Sequence, residues 1–423
     1  MPTVPQSIFT VKFNSKDITE DISGDLISVE YTGNTAGESD EVSITVDDRE
    51  LKWQNDWYPD KNTTVELSIG YEGLTFNCGV FKIDQIELSG PPDTVSIRGI
   101  AAAFDKKLRT KNNYAHEGKT LKEIVNTVAQ SLGYTVEGNI SSIKFDRVTQ
   151  SNETDISFLR RLADMYGYYF SVRGTVIIFT PETEIDGKEP VLEIDRLDCS
   201  GYSFTNKSAG THKSAKVNHR NPSTGEDIEG SADWGSMVDE LLPPQLGGVT
   251  KFLKNNAQTS VQGSPARKTV RAAQAPEYRE KIIDTEPESA DVLKDTGEDE
   301  LRLIVKAENT QQAEVMAKAA LYKGNKATSD VSVTVAGNPM LVEGNTVMLS
   351  GFGKFSGKYT ISRAVHTKTR TGGYTCRLNM QRVAVTVKGR YKSVKKSAID
   401  TAAKGDIRRA STGGAAAVGG AGF

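Results

Sequence analysis

Four short runs near the N-terminus place an apolar residue at every second position, and this alternation commits the first hundred residues to β structure. Phe9, Val11 and Phe13 form the first stripe, and Ile27, Val29 and Tyr31 the second. Val42, Ile44 and Val46 form the third, and Val65, Leu67, Ile69 and Tyr71 the fourth. A period of two turns one face of a strand to a core and the other to water. Turn-rich text such as TGNTAGESD and YPDKNTT separates the runs. Several short strands spaced in this way predict a barrel or sandwich over residues 1–105. Trp53 and Trp57 fall in a connecting loop, where they are expected to cap the core.

The period changes after residue 105. GKTLKEIVNTVAQSLGY carries Leu121, Ile124, Val125, Val128 and Leu132 at helical spacing and stops at Gly133. A second helix is predicted where Asn152 or Thr154 can cap a face of Ile156, Leu159, Leu162, Ala163 and Tyr166; Gly167 ends it, and a hairpin turning at Arg173-Gly174 follows. Residues 106–195 therefore read as a small α+β module. Residues 196–300 read as a hairpin, turning at Ser223-Thr224-Gly225, and then a long loop-rich insertion. Gly235 to Pro265 is polar text with little periodicity, and residues 282–300 hold eight acidic residues against one lysine, a solvated loop. From 301 to 386 β signals return around a helix from Gln311 to Tyr322 that carries Ala313, Met316, Ala317 and Ala320. The stripes here are Val331, Val333 and Val335, then Val347 and Leu349, then Tyr359, Ile361 and Arg363, then Cys376, Leu378 and Met380. The last segment, 387–423, is basic and then almost entirely glycine and alanine, so it buries too little apolar surface to fold alone.

Composition excludes several classes of function. A net charge of −3 gives no pull toward nucleic acid, and basic residues are not interleaved with aromatics for base stacking. Three scattered cysteines, Cys78, Cys199 and Cys376, fit neither a disulfide scaffold nor a metal site and suit a reducing compartment. The opening text MPTVPQSIFTVKFN lacks a basic region followed by an apolar run, so no export signal is expected. None of the four histidines, His116, His212, His219 and His366, has a metal-site or nucleophile spacing. GFGKFSGKYT imitates a phosphate loop, but five residues separate Gly351 from Gly357 and Tyr359 stands where Ser or Thr should follow the lysine. Glu153 and Asp155 sit in the cap and first turn of a helix, where carboxylates favour the dipole. No catalytic residue, cofactor site or metal site is expected.

Three segments together resemble the phage late control D family, the tail and baseplate hub proteins related to the hub part of VgrG. They are the helix pair, TLKEIVNTVAQSLGY with QSNETDISFLRRLADMYGYYFSVRG; the C-terminal block GNPMLVEGNTVMLSGFGKFSGKYTISRAVHTKTRTGGYTCRLNMQRV; and the weaker ESDEVSITVDD. Their order matches the family across roughly residues 5–385. The resemblance implies a mainly β chain, α+β overall, with two tube-protein-like β-barrel domains (1–105 and 301–386) and the α+β domain inserted between them. It implies a homotrimeric ring whose six barrels seat a sixfold tail tube or tube-initiator protein on one side and a trimeric spike on the other. Tape-measure and baseplate wedge proteins are further partners. Such a structural protein would assemble in the bacterial cytoplasm and end in a virion tail or injection-particle baseplate. In the C-terminal block, Gly351, Gly353, Gly357, Gly372 and Gly373 are expected to serve turns, and Tyr359 and Tyr374 to pack a ring while keeping the hydroxyl wet. The chain shows no needle of the VgrG kind, so the spike is expected to be a separate polypeptide. The basic residues Lys388, Arg390, Lys392, Lys395, Lys396, Lys404, Arg408 and Arg409 are expected to form an assembly arm that orders against another component. The rival readings are a tail-borne peptidoglycan hydrolase, a tail-tube protein and a surface adhesin. They are disfavoured respectively by the missing catalytic constellation, the α+β module and the missing export signal.

Overall fold

The computed structural model describes residues 6–35, 39–60, 63–101, 110–207, 209–221, 225–241, 279–281, 289–292, 299–371, 373–388 and 391–393. The first β unit comprises β1 (Ser7–Phe13), β2 (Lys16–Asp17), the one-turn helix α1 (Thr19–Ser23), β3 (Leu26–Asn34), β4 (Glu41–Asp47), β5 (Thr64–Tyr71), β6 (Leu74–Ser89) and β7 (Thr94–Ala101). Every pairing is antiparallel, in the order β3-β4-β7-β6-β5-β1-β2. The stripes act as their period requires: Val42, Ile44 and Val46 are buried while the residues between them face outward. Trp53 is fully buried and meets Trp57 edge-on at 5.5 Å, but Trp57 stays 39% exposed. Only the first tryptophan caps the core.

The α+β lobe begins with β8 (Lys111–Glu117) and α2 (Leu121–Leu132). It continues through β9 (Thr135–Glu137), β10 (Arg147–Thr154), α3 (Asp155–Tyr166), β11 (Tyr168–Arg173), β12 (Val176–Pro181) and α4 (Glu182–Gly187). Thr120 opens α2 with a capping box: its hydroxyl accepts from the Glu123 N–H at 3.3 Å, and the Glu123 carboxylate accepts from the Thr120 N–H at 2.8 Å. Gly133 closes the helix at φ 78°. Thr154 caps α3, whereas Asn152 takes φ 50° at a bulge where β10 pairs with β8.

The chain then crosses between units. β13 (Leu192–Asp195) and β14 (Cys199–Asn206) join the second β unit, then β15 (Ser214–Arg220), β16 (Asp227–Asp233) and α5 (Trp234–Leu241) return to the lobe. After the short strands β17 (Arg279–Lys281) and β18 (Ser289–Val292), β19 (Glu300–Ile304) lies parallel to β15, and α6 (Thr310–Ala327) packs on β15 and β16. Gly230 makes that contact possible, because a Cβ there would lie 2.2 Å from the Ala313 carbonyl carbon. The second β unit is completed by β20 (Ser329–Ala336), β21 (Thr346–Ser350), β22 (Gly357–Thr369) and β23 (Gly373–Arg382). β24 (Val385–Lys388) pairs with β18, and β25 (Tyr391–Ser393) pairs with β17. Seven residue pairs between β22 and β3, from Arg363 with Asn34 to Thr369 with Ser28, fuse the two β units into one 13-stranded sheet over a shared core.

The chain is mainly β, as the stripes require, but packing divides it differently from the boundaries at 195 and 300. Residues 192–206 lie in the second β unit. β19 and α6, expected at the start of that unit, instead complete the lobe core, because their apolar faces meet the β15–β16 hairpin. Trp234, expected to end the hairpin, and residues 235–241, read as loop, are helical: Trp234, Met237 and Val238 recur at i, i+3 and i+4 and are buried, a run too short to stand out in polar text. The rest of the expected loop to 265, and most of the acidic stretch, lies outside the described residues.

Candidate assembly surfaces

The C-terminal block is a turn-and-strand scaffold, and its glycines divide by need. Gly351 sits at φ 79° with no room for a side chain, since a Cβ would stand 3.1 Å from that of Arg196; Gly353 and Gly373 take φ 61° and 77° in open turns. Gly357, at φ 153°, opens β22, and Gly372 lies outside the described residues. The tyrosines depart from expectation. Tyr359 is fully buried and donates to the Phe355 carbonyl at 2.6 Å, and the Tyr374 hydroxyl lies 2.7 Å from His366 Nδ1. Neither hydroxyl faces water, because each has a partner inside the fold.

His366 is the centre of this buried group. Its Nε2 lies 3.0 Å from the Leu341 carbonyl, so a neutral ring protonated there donates to Leu341 and accepts from Tyr374 at Nδ1. Cys376 Sγ lies 3.2 Å from the same Nδ1. Burial pushes the His366 pKa down to about 4, partly offset by the Leu341 carbonyl. Across the fused strands His366 pairs with Tyr31, whose hydroxyl lies 3.1 Å from Asp40 Oδ2. Burial, and then the charge of Glu343, raise Asp40 to about 7.

Glu343 is itself buried and filed against Gly33 of β3, where a Cβ would strike its Oε2 at 2.1 Å. The Arg173 guanidinium, at the tip of the lobe's β11 hairpin, meets Glu343 Oε1 at 2.8 Å and also donates to the Glu343 carbonyl. Burial raises the Glu343 pKa and the Arg173 charge opposes that. A second clamp joins lobe and sheet. Lys326 Nζ of α6 lies 2.9 Å from both Asp186 oxygens, and Tyr322 and Thr360 donate to the same carboxylate.

Along its main path the sheet ends at β14 on one side and at β1 with the two-residue β2 on the other, and a side branch ends at β13, which pairs only with β21 among the described residues. The β14 end carries an aromatic cluster that the sequence reading missed. Phe204 stacks among Tyr202, Phe352 and Phe355 with ring centroids 4.7–6.2 Å apart, and the Arg196 guanidinium lies 5.3 Å from the Tyr202 ring centroid. Tyr202 is 45% and Phe355 41% exposed. The signal was the pairing of YSF with GFGKF, two segments about 150 residues apart that only the fold brings together.

The two carboxylates singled out in the sequence are held within the fold. Both Glu153 oxygens bind Arg161, and Asp155 accepts from Asn112 at 2.9 Å and Gln150 at 2.8 Å. No group of three or more metal-ligating side chains occurs among the described residues. Of the basic arm, Lys388 and Lys392 fall on β24 and β25, whose backbones pair with the insertion strands β18 and β17, so the arm's first turns find a partner within the chain itself. Arg390, Lys395, Lys396, Lys404, Arg408 and Arg409 lie outside the described residues.

The chain is 26% identical over 379 residues to the probable baseplate hub protein of Escherichia phage 186, covering 86% of this chain and 90% of that protein. It is 29% identical over 211 residues to the probable baseplate hub protein of Escherichia phage P2, covering 48% of this chain and 54% of that one. Its fold matches that of the 43 kDa tail protein of prophage MuSo2 from Shewanella oneidensis, with a TM-score of 0.58 and 11% identity over 89% of this chain and 98% of the other. No family model matches.

Proposed function

We propose that the chain is the structural hub of a phage-type tail or injection-particle baseplate, and not an enzyme. Similarity to a phage hub protein along nearly its whole length supports the role, and a shared fold with a prophage tail protein agrees with it. The observation that carries the reading is the fused sheet with an open edge at each end. One chain supplies two β units joined side by side through β22 and β3. Joining the β14 end of one copy to the β1 end of the next repeats that arrangement, a heterologous contact that closes by rotation. Three copies then present six β units to a sixfold tube on one face and three lobes to a threefold spike on the other. The exposed aromatic cluster on β14 gives the contact an apolar anchor of the kind that dominates interfaces. Edge strands left open invite pairing with another chain, and ring closure removes that liability.

Light scattering of the chain co-assembled with its spike protein tests this. Three copies per particle are expected, and Tyr202→Asp should reduce assembly without lowering the melting temperature of the free chain. A stable dimer or hexamer would overturn the reading.

A further inference from the structure

One face of the lobe holds a groove of about 440 Å³ between α3, α6 and β19, floored by Met165, Leu303, Val305, Met316 and Ala320. Three independent features meet there. The outer side of β19 pairs with nothing among the described residues, since the strand is the edge of the sheet β16-β15-β19. Ile304, the last residue of that strand, is 92% exposed on the face opposite the groove. Arg160 lines the groove and makes no hydrogen bond or ion pair among the described residues, in contrast to its neighbours, where Arg161 is held by Glu153 and Asp164 by Lys323.

An open strand edge asks for one class of ligand, an extended polypeptide whose backbone completes the ladder. A strand added there turns alternate side chains to opposite faces. One set enters the groove beside Leu303, and the other lies over Ile304. Apolar residues suit both faces, and a carboxylate on the groove side reaches the free Arg160 guanidinium, the side chain best shaped to hold one. We propose that this edge and groove bind an extended segment of another protein, apolar on both faces and carrying an acidic residue on the groove side, by strand addition to β19. The surface lies on the lobe, away from the open sheet ends invoked for ring closure, and the proposal stands whether or not the ring forms.

Fluorescence anisotropy of the full chain with the labelled peptide Ser-Val-Val-Val-Glu-Val-Ser, which puts a valine beside the glutamate on one face and three valines on the other, tests it, against a control peptide with prolines replacing the second and fourth residues. Saturable binding of the first peptide alone is expected. Arg160→Glu should weaken it about tenfold or more, and Ile304→Lys should weaken it too, both at unchanged melting temperature because neither side chain is part of the core. Equal binding of the proline peptide, equal affinity for Arg160→Glu, or no binding at millimolar peptide would each overturn the proposal. Concentration-dependent self-association lost in Arg160→Glu would overturn it in favour of a second copy of the chain.

Discussion

Acidification from pH 7.5 to pH 5 should weaken the fused β sheet through His366, and the size of the loss follows from the burial of one ring. The neutral imidazole satisfies both nitrogens, with Leu341 accepting and Tyr374 donating; a second proton would place a charge in a dry core. The folded pKa is about 4 against an ordinary value of 6.5. Between those values the unfolded chain binds a proton that the native chain refuses, so stability is full above pH 6.5 and falls as the pH drops toward 4. At about 1.4 kcal/mol per pH unit the complete loss is roughly 3.4 kcal/mol, of which about 2 kcal/mol is spent by pH 5. Asp40, raised to about 7, acts in the opposite direction: its protonated form favours the fold at low pH, and that contribution fades as the pH rises through 7. The two are separated by comparing the wild type with His366→Gln, which keeps Asp40 and loses only the titrating ring. Urea unfolding followed by tryptophan fluorescence, which reports on Trp53 in the shared core, should give the wild type about 2 kcal/mol more loss than the variant between pH 7.5 and 5. An equal loss in both proteins would refute the assignment of a neutral, proton-refusing His366.

Removing one partner of the buried Lys326–Asp186 pair leaves an uncompensated charge, so Lys326→Met should cost about 3–5 kcal/mol in denaturant unfolding. Adding Asp186→Leu to it should recover most of that loss; no recovery would show that the carboxylate is not the unpaired group. Gly230→Val drives a side chain into the α6 backbone and should destabilise the lobe by about 1–3 kcal/mol, read by Trp234 fluorescence. A neutral Gly230→Val would mean that α6 can move off the hairpin freely.

What could be read from the sequence was local. The stripes through Val42–Val46 and Val331–Val335 depend only on period two, and α2 and α3 only on helical spacing and a closing glycine, so both stood out in a window of a dozen residues, while the choice of Thr154 over Asn152 as the cap of α3 came with the fold. The contacts of Glu153 and Asp155 have the same local basis, since near neighbours in the chain hold both carboxylates. The division into units did not share it. β19 has the same alternation whether it joins the second β unit or lies parallel to β15. The choice is made by α6, whose small residue Ala313 lets its backbone settle on Gly230 of the hairpin. α5 was hidden for the opposite reason, its apolar residues Trp234, Met237, Val238 and Leu241 spanning only eight positions, too short a run to outweigh the polar text around them.

The polar contacts that tie the lobe to the sheet were the least legible feature, and physical chemistry explains both their invisibility and their use. Lys326 and Asp186 are 140 residues apart, and Arg173 and Glu343 are 170 apart, so no spacing rule connects them. In sequence each is an ordinary surface charge on a helix or in a turn. Where both partners are buried, as Lys326 and Asp186 are, the pair adds little net stability, because the cost of leaving water nearly equals the attraction, and where one is buried, as Glu343 is, losing the partner strands its charge; in both, an arrangement that separates the partners is penalised. An apolar contact tolerates sliding and these do not. Asp186 must receive Lys326, Tyr322 and Thr360 together, and Glu343 must sit against Gly33 while meeting Arg173, which leaves one docking position for the lobe on the fused sheet. Glu343, in the loop leading into β21 of the second unit, then touches two other parts at once: β3 of the first unit and the hairpin tip of the lobe. A single carboxylate thus registers the whole described chain. Glu343→Ala should loosen both contacts together and not the lobe alone, because Gly33 and Arg173 lose the same partner, and hydrogen exchange at β3 and at the β11 hairpin should rise in parallel.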